Sequence, residues 1–465
     1  MKRYELLSQM DIELIHENSK KILEEVGVVF DYEPALKVFA EHGCKVDGKT
    51  VYIPGSLVEW AIESAPSEFT LYSRNPARNV VFNTTDTHYV GPGGASYVQD
   101  CERGRRFSSK NDFVELVKLF QMLDLIEMHH VPCEMNDVDP SIRNLEVTYN
   151  MMKYSDKPFM PFVYNEKEAE TIIKMAALPF GGIDQLDGKA VVLLDPCTVT
   201  PLSYDDKGIS ALMTFAKYGQ VQLINSLCMA GTTAPVTLAG NISVQNAEIL
   251  AGIVLAQCIN PGTPIIYSAS SSISDMKTGC LVIGAPETAI MSLMNGQLAK
   301  YYNLPCRISG AITDSKAVDV QAGYESMMNL MTAEMAGGNF ILHSGGIIAG
   351  YDTVSYEKIM TDYEMCGMVR RINKGVTVDE KTLAFDVIKN VGPQGHFLSQ
   401  KHTIKNFRKE FYTPVLADRR SFAEWEAAEK ISMEQQACKK WKKLVEDYKE
   451  PEFSVELDKD LRKLI

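Results

Sequence analysis

The 465-residue sequence predicts an α/β fold, a (β/α)₈ TIM barrel with helical additions at both ends. Eight short apolar segments begin 31 to 43 residues apart, and stretches with helical periodicity follow them. This count and this spacing are typical of a barrel. The segments lack strict alternation of apolar and polar residues, which is typical of parallel strands covered on their outer face. An open doubly wound sheet is the alternative, but closure of eight repeats within about 260 residues favours the barrel.

The predicted strands are short, and helical periodicity fills the intervals between them. The strands cover residues 87–92, 125–132, 157–164, 189–197, 220–227, 263–270, 304–312 and 339–346. The clearest helices cover residues 112–125, 204–218, 285–302, 318–336 and 356–372. Because strands and helices alternate, we expect one parallel sheet with the helices on its outside.

The two ends of the chain are predicted to pack on the barrel as additions. Apolar residues recur at helical spacing from Ile12 to Val26, and Gly27 supplies a stop signal. Shorter helical stretches cover residues 34–40 and 54–65. The sequence is therefore divided into an N-terminal helical extension, the barrel, and a C-terminal extension of helical and irregular structure, which cover residues 1–86, 87–375 and 376–465.

Composition and charge exclude several classes of partner. The chain has 47 basic and 60 acidic residues, a net charge of −13, and this field repels phosphate. We therefore expect neither a nucleic-acid nor a membrane partner, and the short basic stretch at Arg103, Arg105 and Arg106 is interpreted as a solvated loop. The N-terminal residues lack a signal-peptide pattern, and the ten cysteines lie at least 22 positions apart. These features predict a cytoplasmic protein.

Two polar residues near the ends of predicted strands are candidates for anion binding. In a barrel the functional residues gather at the carboxyl ends of the strands. Arg307 lies inside the apolar seventh strand, where an unpaired charge is expensive. It either pairs with a carboxylate such as Asp195 or binds an anionic substrate. His343 ends the eighth strand and is either a hydrogen-bonded core residue or, with Arg307, part of a carboxylate clamp.

Tyrosines form a second group of candidates near the strand ends. They are Tyr97, Tyr164, Tyr267, Tyr351 and Tyr356. Such residues often serve only in packing. A tyrosine ring also attracts a quaternary ammonium group through its quadrupole, without needing a hydrogen-bond donor on the cation. A set of rings at the barrel mouth therefore modestly favours a site for an onium compound.

Glycines and cysteines at the strand ends leave further alternatives open. The Gly91-Pro92-Gly93-Gly94 loop either cradles a phosphate or forms a tight turn that needs small residues, and it lacks a P-loop pattern. Cysteines at four strand ends offer ligands for zinc, but small buried hydrophobic residues give the same pattern. These cysteines are Cys133, Cys197, Cys228 and Cys306.

Several segments in one order resemble the trimethylamine methyltransferase family. The similarity covers nearly the whole chain and is clearest at residues 14–30, 90–100, 313–346 and 391–425. It implies a (β/α)₈ barrel that passes a methyl group from a methylated amine to the cobalt of a separate corrinoid protein. Nothing in the sequence encodes pyrrolysine, so the resemblance is to the branch that demethylates quaternary amines such as glycine betaine, proline betaine or carnitine.

The resemblance and the candidate residues together predict a positioning mechanism. A quaternary ammonium already carries its charge and leaves as a neutral amine, so the site needs no general acid, metal or covalent adduct. Arg307 and His343 are predicted to hold the substrate carboxylate and the tyrosines to face the cation, with Glu134 and Asp195 as second-choice contacts. We expect no cofactor on this chain, a corrinoid protein docking at the barrel mouth, and a homo-oligomer.

Two alternative functions stay open from the sequence. The first is a zinc-dependent barrel methyltransferase that acts on a thiol or methoxyl compound. The second is a non-catalytic subunit that binds a betaine or holds a corrinoid protein. A metal-free active enzyme would exclude the first, and a change in the cobalt spectrum on addition of substrate would exclude the second.

Overall fold

A computed structural model describes residues 3–465 and contains the predicted barrel. Its eight parallel strands are β1 (His88–Val90), β2 (Ile126–His130), β3 (Phe159–Met160), β4 (Leu193–Leu194), β5 (Val221–Ser226), β6 (Ile265–Ala269), β7 (Cys306–Ser309) and β8 (Phe340–Leu342). Hydrogen bonds join them in the order β3-β2-β1-β8-β7-β6-β5-β4. The end strands β3 and β4 contact each other without a ladder of hydrogen bonds. The barrel is therefore nearly closed, and each strand lies inside a segment predicted from the sequence.

A helix follows each barrel strand and covers the outside of the sheet. The helices are α1 (Lys110–Gln121), α2 (Arg143–Tyr154), α3 (Glu166–Ala177), α4 (Asp206–Lys217), α5 (Leu238–Ile259), α6 (Pro286–Tyr301), α7 (Val320–Ala336) and α8 (Tyr356–Asn373). Three short 3₁₀ turns cover Pro76–Arg78, Leu178–Phe180 and Ile183–Gln185. Side-chain caps explain several helix starts, such as the capping box of Ser109 and Asp112 at α1. The predicted (β/α)₈ architecture is confirmed.

One helix of the described chain is long and apolar enough to cross a membrane. It is α5, and 89% of its most apolar window is buried inside the protein. The helix packs against β5, α4 and the N-terminal helices. It is therefore the apolar core helix of this fold, enclosed by protein on most of its surface.

A β-hairpin closes the amino-terminal end of the barrel. Its strands are Phe69–Leu71 and Val80–Phe82, which the sequence analysis did not identify. Phe82 and Leu71 are fully buried in one apolar cluster with barrel residues such as Phe340 and Met128. The hairpin therefore fills the lower end of the barrel with packed side chains, and the upper end is left for the site.

The N-terminal region contains the expected helices and an additional small sheet. The helices are Gln9–Lys21, Glu33–Glu41 and Gly55–Ser64. A π-helical turn, Ile22–Val26, extends the first helix and ends at Gly27 with a φ of +80°, as the stop signal predicts. The strands Val28–Phe30, Lys45–Asp47 and Thr50–Tyr52 form a sheet with Ser203–Tyr204 from a barrel loop. This pairing fixes the extension to the barrel.

Short strands in the βα loops surround the carboxyl end of the barrel. One sheet joins Tyr97–Asp100 and Gly104–Phe107 to Ile347–Ile348 and Thr353–Ser355, so it connects the loops after β1 and β8. A second sheet contains Met229–Ala230, Ser272–Ser274 and Leu281–Val282, from the loops after β5 and β6. These sheets give the mouth loops a hydrogen-bonded framework.

The C-terminal extension is helical, and its parts differ in how they pack. Its helices are Glu380–Leu383, Phe385–Val391, Lys401–Glu410, Phe422–Ala427, Met433–Glu446 and Val455–Arg462. The last two pack on the barrel; for example, the indole N–H of Trp441 donates to Glu357 of α8 at 2.9 Å. Between residues 370 and 436, by contrast, Leu416 alone is buried.

Candidate active site at the barrel mouth

Arg307 is a buried cation of β7 whose guanidinium reaches the carboxyl end of the neighbouring strand β6. Its side chain is inside the barrel, and the residue is 2% exposed. Nη1 donates to the Ala269 carbonyl at 2.9 Å and to the Ser270 hydroxyl, both at the end of β6. Nε has no hydrogen-bond partner. Within residues 3–465 no carboxylate forms an ion pair with this guanidinium, so the pairing with Asp195 considered from the sequence is not made directly.

Two buried histidines lie beside the guanidinium. The backbone N–H of Gly93 donates to Nδ1 of His343 at 3.3 Å, which places the proton of that ring on Nε2. Nδ1 of His130 donates to the Met160 carbonyl at 2.8 Å, which leaves its Nε2 as an acceptor. Burial and the charge of Arg307 lower the pKa of His130 to about 4 and that of His343 well below its ordinary value. Both rings are therefore neutral near pH 7.

The glycine-rich loop after β1 is shaped by close contact with His130. A Cβ at Gly93 would lie 1.8 Å from Cδ2 of His130, whereas a Cβ at Gly91 would have no neighbour closer than 3.7 Å. Gly93 therefore lets the imidazole lie directly against the backbone. Small residues are needed here for packing, as in the tight-turn interpretation of this loop.

Tyr351 brings an aromatic ring to the same cluster. Its ring centroid lies 4.8 Å from that of His343, and its hydroxyl is 3.3 Å from the Ser309 hydroxyl on β7. The residue sits in the loop after β8 with a φ of +73°. Arg307, His343 and Tyr351, all chosen from the sequence, thus occupy neighbouring strand ends.

A polar network extends from Arg307 into a side cleft between β3 and β4. The Oδ1 atom of Asn225 accepts from Ser270, the partner of Arg307, and its Nδ2 donates to Sγ of Cys197 at 3.4 Å. The Cys197 thiol lies 3.7 Å from Oδ1 of Asp195. These last two residues line a cleft of about 440 Å³. Burial raises the pKa of Asp195 to about 6, although the charge of Arg307 acts in the opposite direction.

Tyr164 and Glu134 lie farther out, on the β2–β3 side of the mouth. Tyr164 is 51% exposed, lines the same cleft and stacks with Phe162 at 6.3 Å. Glu134 is half-buried, its carboxylate is 3.8 Å from Nη1 of Arg143, and burial raises its pKa. These two residues contribute to the rim of the mouth, apart from the group around Arg307.

The structure does not bring Tyr97 or Tyr267 to that group. Tyr97 stacks on Phe107 at 4.4 Å and has the guanidinium of Arg105 at 3.5 Å, so both contacts lie within its own hairpin. Tyr267 is fully buried, and its hydroxyl donates to Asn246 of α5 at 2.9 Å, on the outside of the barrel. Alternation along β6 explains this position, since Ser268 faces the barrel interior through Asn225.

The four strand-end cysteines do not converge on one metal position. Cys306 faces the Asn295 carbonyl of α6, and Cys228 lies 3.8 Å from Glu248 of α5. Within the described chain, groups with spacing for a metal lie elsewhere, at Cys101–Glu357–Cys438 and at His16–Glu17–Glu59. The cysteines of the mouth therefore offer single ligands at separate places.

Sequence reasoning did not select His130, Asn225 or Ser270 as site residues. All three stand at or beside the ends of predicted strands, and that position was the available signal. A strand-end position alone does not tell whether a side chain faces the barrel interior, because successive residues of a strand face opposite sides.

Comparisons with known proteins agree with this architecture. The family model for trimethylamine methyltransferase matches residues 1–465. The chain is 44% identical over 464 residues to a glycine betaine methyltransferase of Desulfitobacterium hafniense, covering 100% of this chain and 97% of that protein. It is 34% identical to a proline betaine:corrinoid methyltransferase of Eubacterium limosum, covering 89% and 87% of the two chains.

A solved structure shows the same fold at low sequence identity. The monomethylamine methyltransferase of Methanosarcina barkeri superimposes with a TM-score of 0.57 and 11% identity, covering 96% of this chain and 88% of that one. The family match over the full length and the relative at 44% identity lead to one conclusion: this chain belongs to the trimethylamine methyltransferase family and is a methyltransferase.

Proposed function

We propose that this protein transfers a methyl group from a quaternary amine to Co(I) of a separate corrinoid protein. Glycine betaine is the first candidate substrate, followed by proline betaine and carnitine. The names of three relatives, at 44%, 34% and 30% identity, support these compounds in that order. The corrinoid is a substrate carried by the partner, and this chain supplies the site for the amine.

The observation that carries the proposal is the unpaired guanidinium of Arg307. Its Nε lacks a partner, and His343, which lies close enough for the charge of Arg307 to lower its pKa, carries its ring proton on Nε2. A substrate carboxylate placed there would accept charge-assisted hydrogen bonds from both side chains. Burial of an unpaired charge is costly, so we expect an anionic ligand that pairs with the guanidinium to complete this site.

The onium end of the substrate would lie toward Tyr351 and the mouth. Because His130 and His343 are neutral near pH 7, neither ring repels a cation. A tyrosine face attracts a quaternary ammonium group without a hydrogen bond. Tyr164 at the rim would contact the part of a larger substrate that extends outward. Tyr97 and Tyr267 are left out of this proposed pocket because their contacts lie elsewhere.

The reaction requires positioning more than acid–base chemistry. The electron pair of Co(I) attacks a methyl carbon, the C–N bond breaks, and its electron pair goes to nitrogen. The products are methyl-Co(III) and a neutral tertiary amine, so no proton is transferred. The protein would hold one N-methyl group at the mouth in line with the incoming cobalt, and such alignment can supply several kcal/mol.

Asp195 and Glu134 are assigned a secondary role in this proposal. A carboxylate beside the substrate cation would stabilise the reactant and oppose loss of its charge. Asp195 stands near Arg307, where it tunes the local field, and Glu134 pairs with Arg143. Neither residue is proposed to contact the methyl group.

The test mixes the protein with a corrinoid protein reduced to Co(I) and follows the spectral change to methyl-Co(III). We expect turnover with glycine betaine and a KM that rises roughly 10- to 100-fold in Arg307→Ala, the range for loss of hydrogen bonds to a charge. Tetramethylammonium and choline, which lack a carboxylate, serve as matched substrates that should be affected much less. An equal loss on all three compounds would remove the carboxylate role of Arg307.

The same assay separates the two alternative functions. A non-catalytic subunit would bind glycine betaine by calorimetry but leave the cobalt spectrum unchanged. A zinc-dependent enzyme would lose turnover when zinc is removed and regain it when zinc is restored. Turnover with betaine that is independent of added or removed zinc supports the proposed function.

A further inference from the structure

One long segment of the C-terminal extension has an apolar surface that the rest of the chain does not cover. No residue from 370 to 415 is buried. Ten large apolar side chains between residues 376 and 411, which we call the arm, are 40% to 81% exposed. They are Val376, Val378, Leu383, Phe385, Ile388, Phe397, Leu398, Ile404, Phe407 and Phe411. Scattered exposed apolar residues are ordinary, but this concentration marks an interaction surface.

The area of this surface is sufficient for a stable interface. Large apolar side chains bury roughly 150–200 Å² each, so the exposed parts of these ten residues amount to on the order of 1000 Å². Each partner in a stable protein interface contributes about 800 Å². Strongly apolar surfaces of this size are typical of permanent association between subunits.

The arm leaves the body of the protein and returns to the same helix. It begins after α8, and Nε of Arg371 donates to the Glu410 carbonyl at 2.8 Å. Beyond the arm, the Leu416 N–H donates to the carboxylate of Glu364 in α8 at 2.8 Å. Both ends of the arm are therefore held by α8, and the arm is a long segment that starts and ends at this helix.

The helices of the arm are too short to be stable alone. They contain 4, 7 and 10 residues, and isolated helices below about 12–15 residues are marginal in water. Stability in such helices comes from packing an apolar face. Because the rest of this chain does not cover the apolar faces of these helices, we expect the surface of another molecule to pack against them.

The position of the arm argues against the corrinoid protein as its partner. The arm begins at the amino-terminal end of the barrel, where Arg370 pairs with Glu127 at the start of β2. Helix α8 has 18 residues, which places the start of the arm about 27 Å from the mouth. A partner that must reach the mouth and leave in every turnover would not cover this surface permanently.

Charge favours a second copy of this chain. The arm has six basic and four acidic residues, a net charge of +2, so the remaining residues have a net charge of −15. Helix Lys401–Glu410 alone carries four basic residues and one acidic residue. A weakly basic apolar arm is complementary to the acidic body of another copy. We propose that the arm packs on a second copy of this chain and holds a homo-oligomer together.

The test measures the mass of the full-length chain by sedimentation equilibrium at micromolar concentration. The wild type is expected at twice 51.8 kDa or a higher multiple. Leu398→Glu and Phe385→Glu should each raise the subunit dissociation constant at least tenfold. Leu398 lies in a loop and Phe385 is the first residue of its helix, so a glutamate does not interrupt a helix at either place. Leu14→Glu, at a leucine 62% exposed in the N-terminal helix, is the matched control and should not dissociate.

Amide hydrogen exchange on the same samples separates dissociation from misfolding. In the oligomer, the amides of Phe385–Val391 should exchange slowly, and in the two arm variants they should exchange fast, while α5 stays protected in all samples. A monomeric wild type, or an oligomer that neither substitution weakens, would overturn the proposal. Arm amides that become protected only after a corrinoid protein is added would also overturn it and would assign the surface to that partner.

Discussion

The two ends of the barrel are built from the same eight strands but bury different kinds of side chain. At the lower end Leu71 and Phe82 of the hairpin pack with Phe340 in one cluster of buried apolar side chains. At the upper end Arg307 and His343 stand on neighbouring strands with hydrogen bonds to backbone and hydroxyl groups. The comparison teaches that the two ends differ in the side chains that they bury: apolar side chains at the lower end, and polar side chains around the guanidinium of Arg307 at the upper end.

Strands β7 and β8 show where buried apolar side chains give way to polar ones. Arg307 pairs in register with Phe340, and Ser309 pairs with Leu342. Phe340 and Leu342 belong to the lower apolar cluster, whereas the next residue, His343, leaves the strand with a φ of +58°. The change from apolar core to polar site therefore happens within a few residues of chain.

The largest effect on stability is expected at the lower end. Phe82→Ala removes a fully buried ring that lies 5.8 Å from Phe340, and such substitutions lower the free energy of unfolding by about 3–5 kcal/mol. Denaturant unfolding should show this loss, while the KM of the folded enzyme stays unchanged. Val81→Ala, on the exposed face of the same strand, is the control and should cost about 0.5 kcal/mol or less. A marked KM change in Phe82→Ala would mean that the two ends are coupled.

A smaller effect, on activity, is expected at the upper end from Gly93→Ala. The new methyl group would overlap His130 and displace the backbone N–H that holds His343. We expect a loss of at least thirtyfold in kcat/KM, about 2 kcal/mol. Gly91→Ala has room for its methyl group and is the matched control. Equal activity of the two variants would show that the imidazole positions do not matter for turnover.

The smallest effect concerns the pH dependence of stability through Asp195. Its pKa is about 6 in the folded protein and 3.8 ordinarily, so ionisation destabilises the folded state. The stability of the protonated form is present below about pH 4 and is lost as the pH rises to about 6. Asp195→Asn should therefore be more stable than the wild type by about 1–2 kcal/mol above pH 6, with no difference below pH 4.

Melting temperatures of the wild type and the variant across this pH range measure the effect of Asp195. The exposed Asp184 provides the control, because Asp184→Asn should give a flat difference. A flat difference for Asp195→Asn as well would show that its carboxyl group is solvated as in the unfolded chain.

Much of the fold could be predicted because its signals are local. Apolar segments at regular spacing located all eight barrel strands, and Gly27 marked the end of the first helix. The hairpin Phe69–Leu71 and Val80–Phe82 was missed because it lies before the regular alternation of strands and helices that located the equally short barrel strands. Its position depends on contacts with Phe340, more than 250 residues away in the chain, and local patterns do not contain that information.

The burial of two candidate residues could be predicted, while their role in the site stays a prediction. Arg307 and His343 were selected because a charge or an imidazole in an apolar strand needs a partner, and both are buried near the strand ends. Tyr267 was placed in the site although it faces α5, since a segment without alternation does not show which residues face inward. His130 became visible as a site residue only through its contact with Gly93, which joins the ends of two strands.

The hairpin that closes the lower end leaves access to the barrel on the side of the mouth, which includes the cleft between β3 and β4. Under the proposed function, the demethylated amine and the methylated corrinoid protein must leave on the same side of the barrel from which both reactants came. The corrinoid protein would have to dissociate before the demethylated amine could leave. A new substrate molecule would then have to bind before the corrinoid protein docks again. The hairpin at the lower end, which lies far from the reacting atoms, would thereby set the order in which products leave and substrates bind at the mouth.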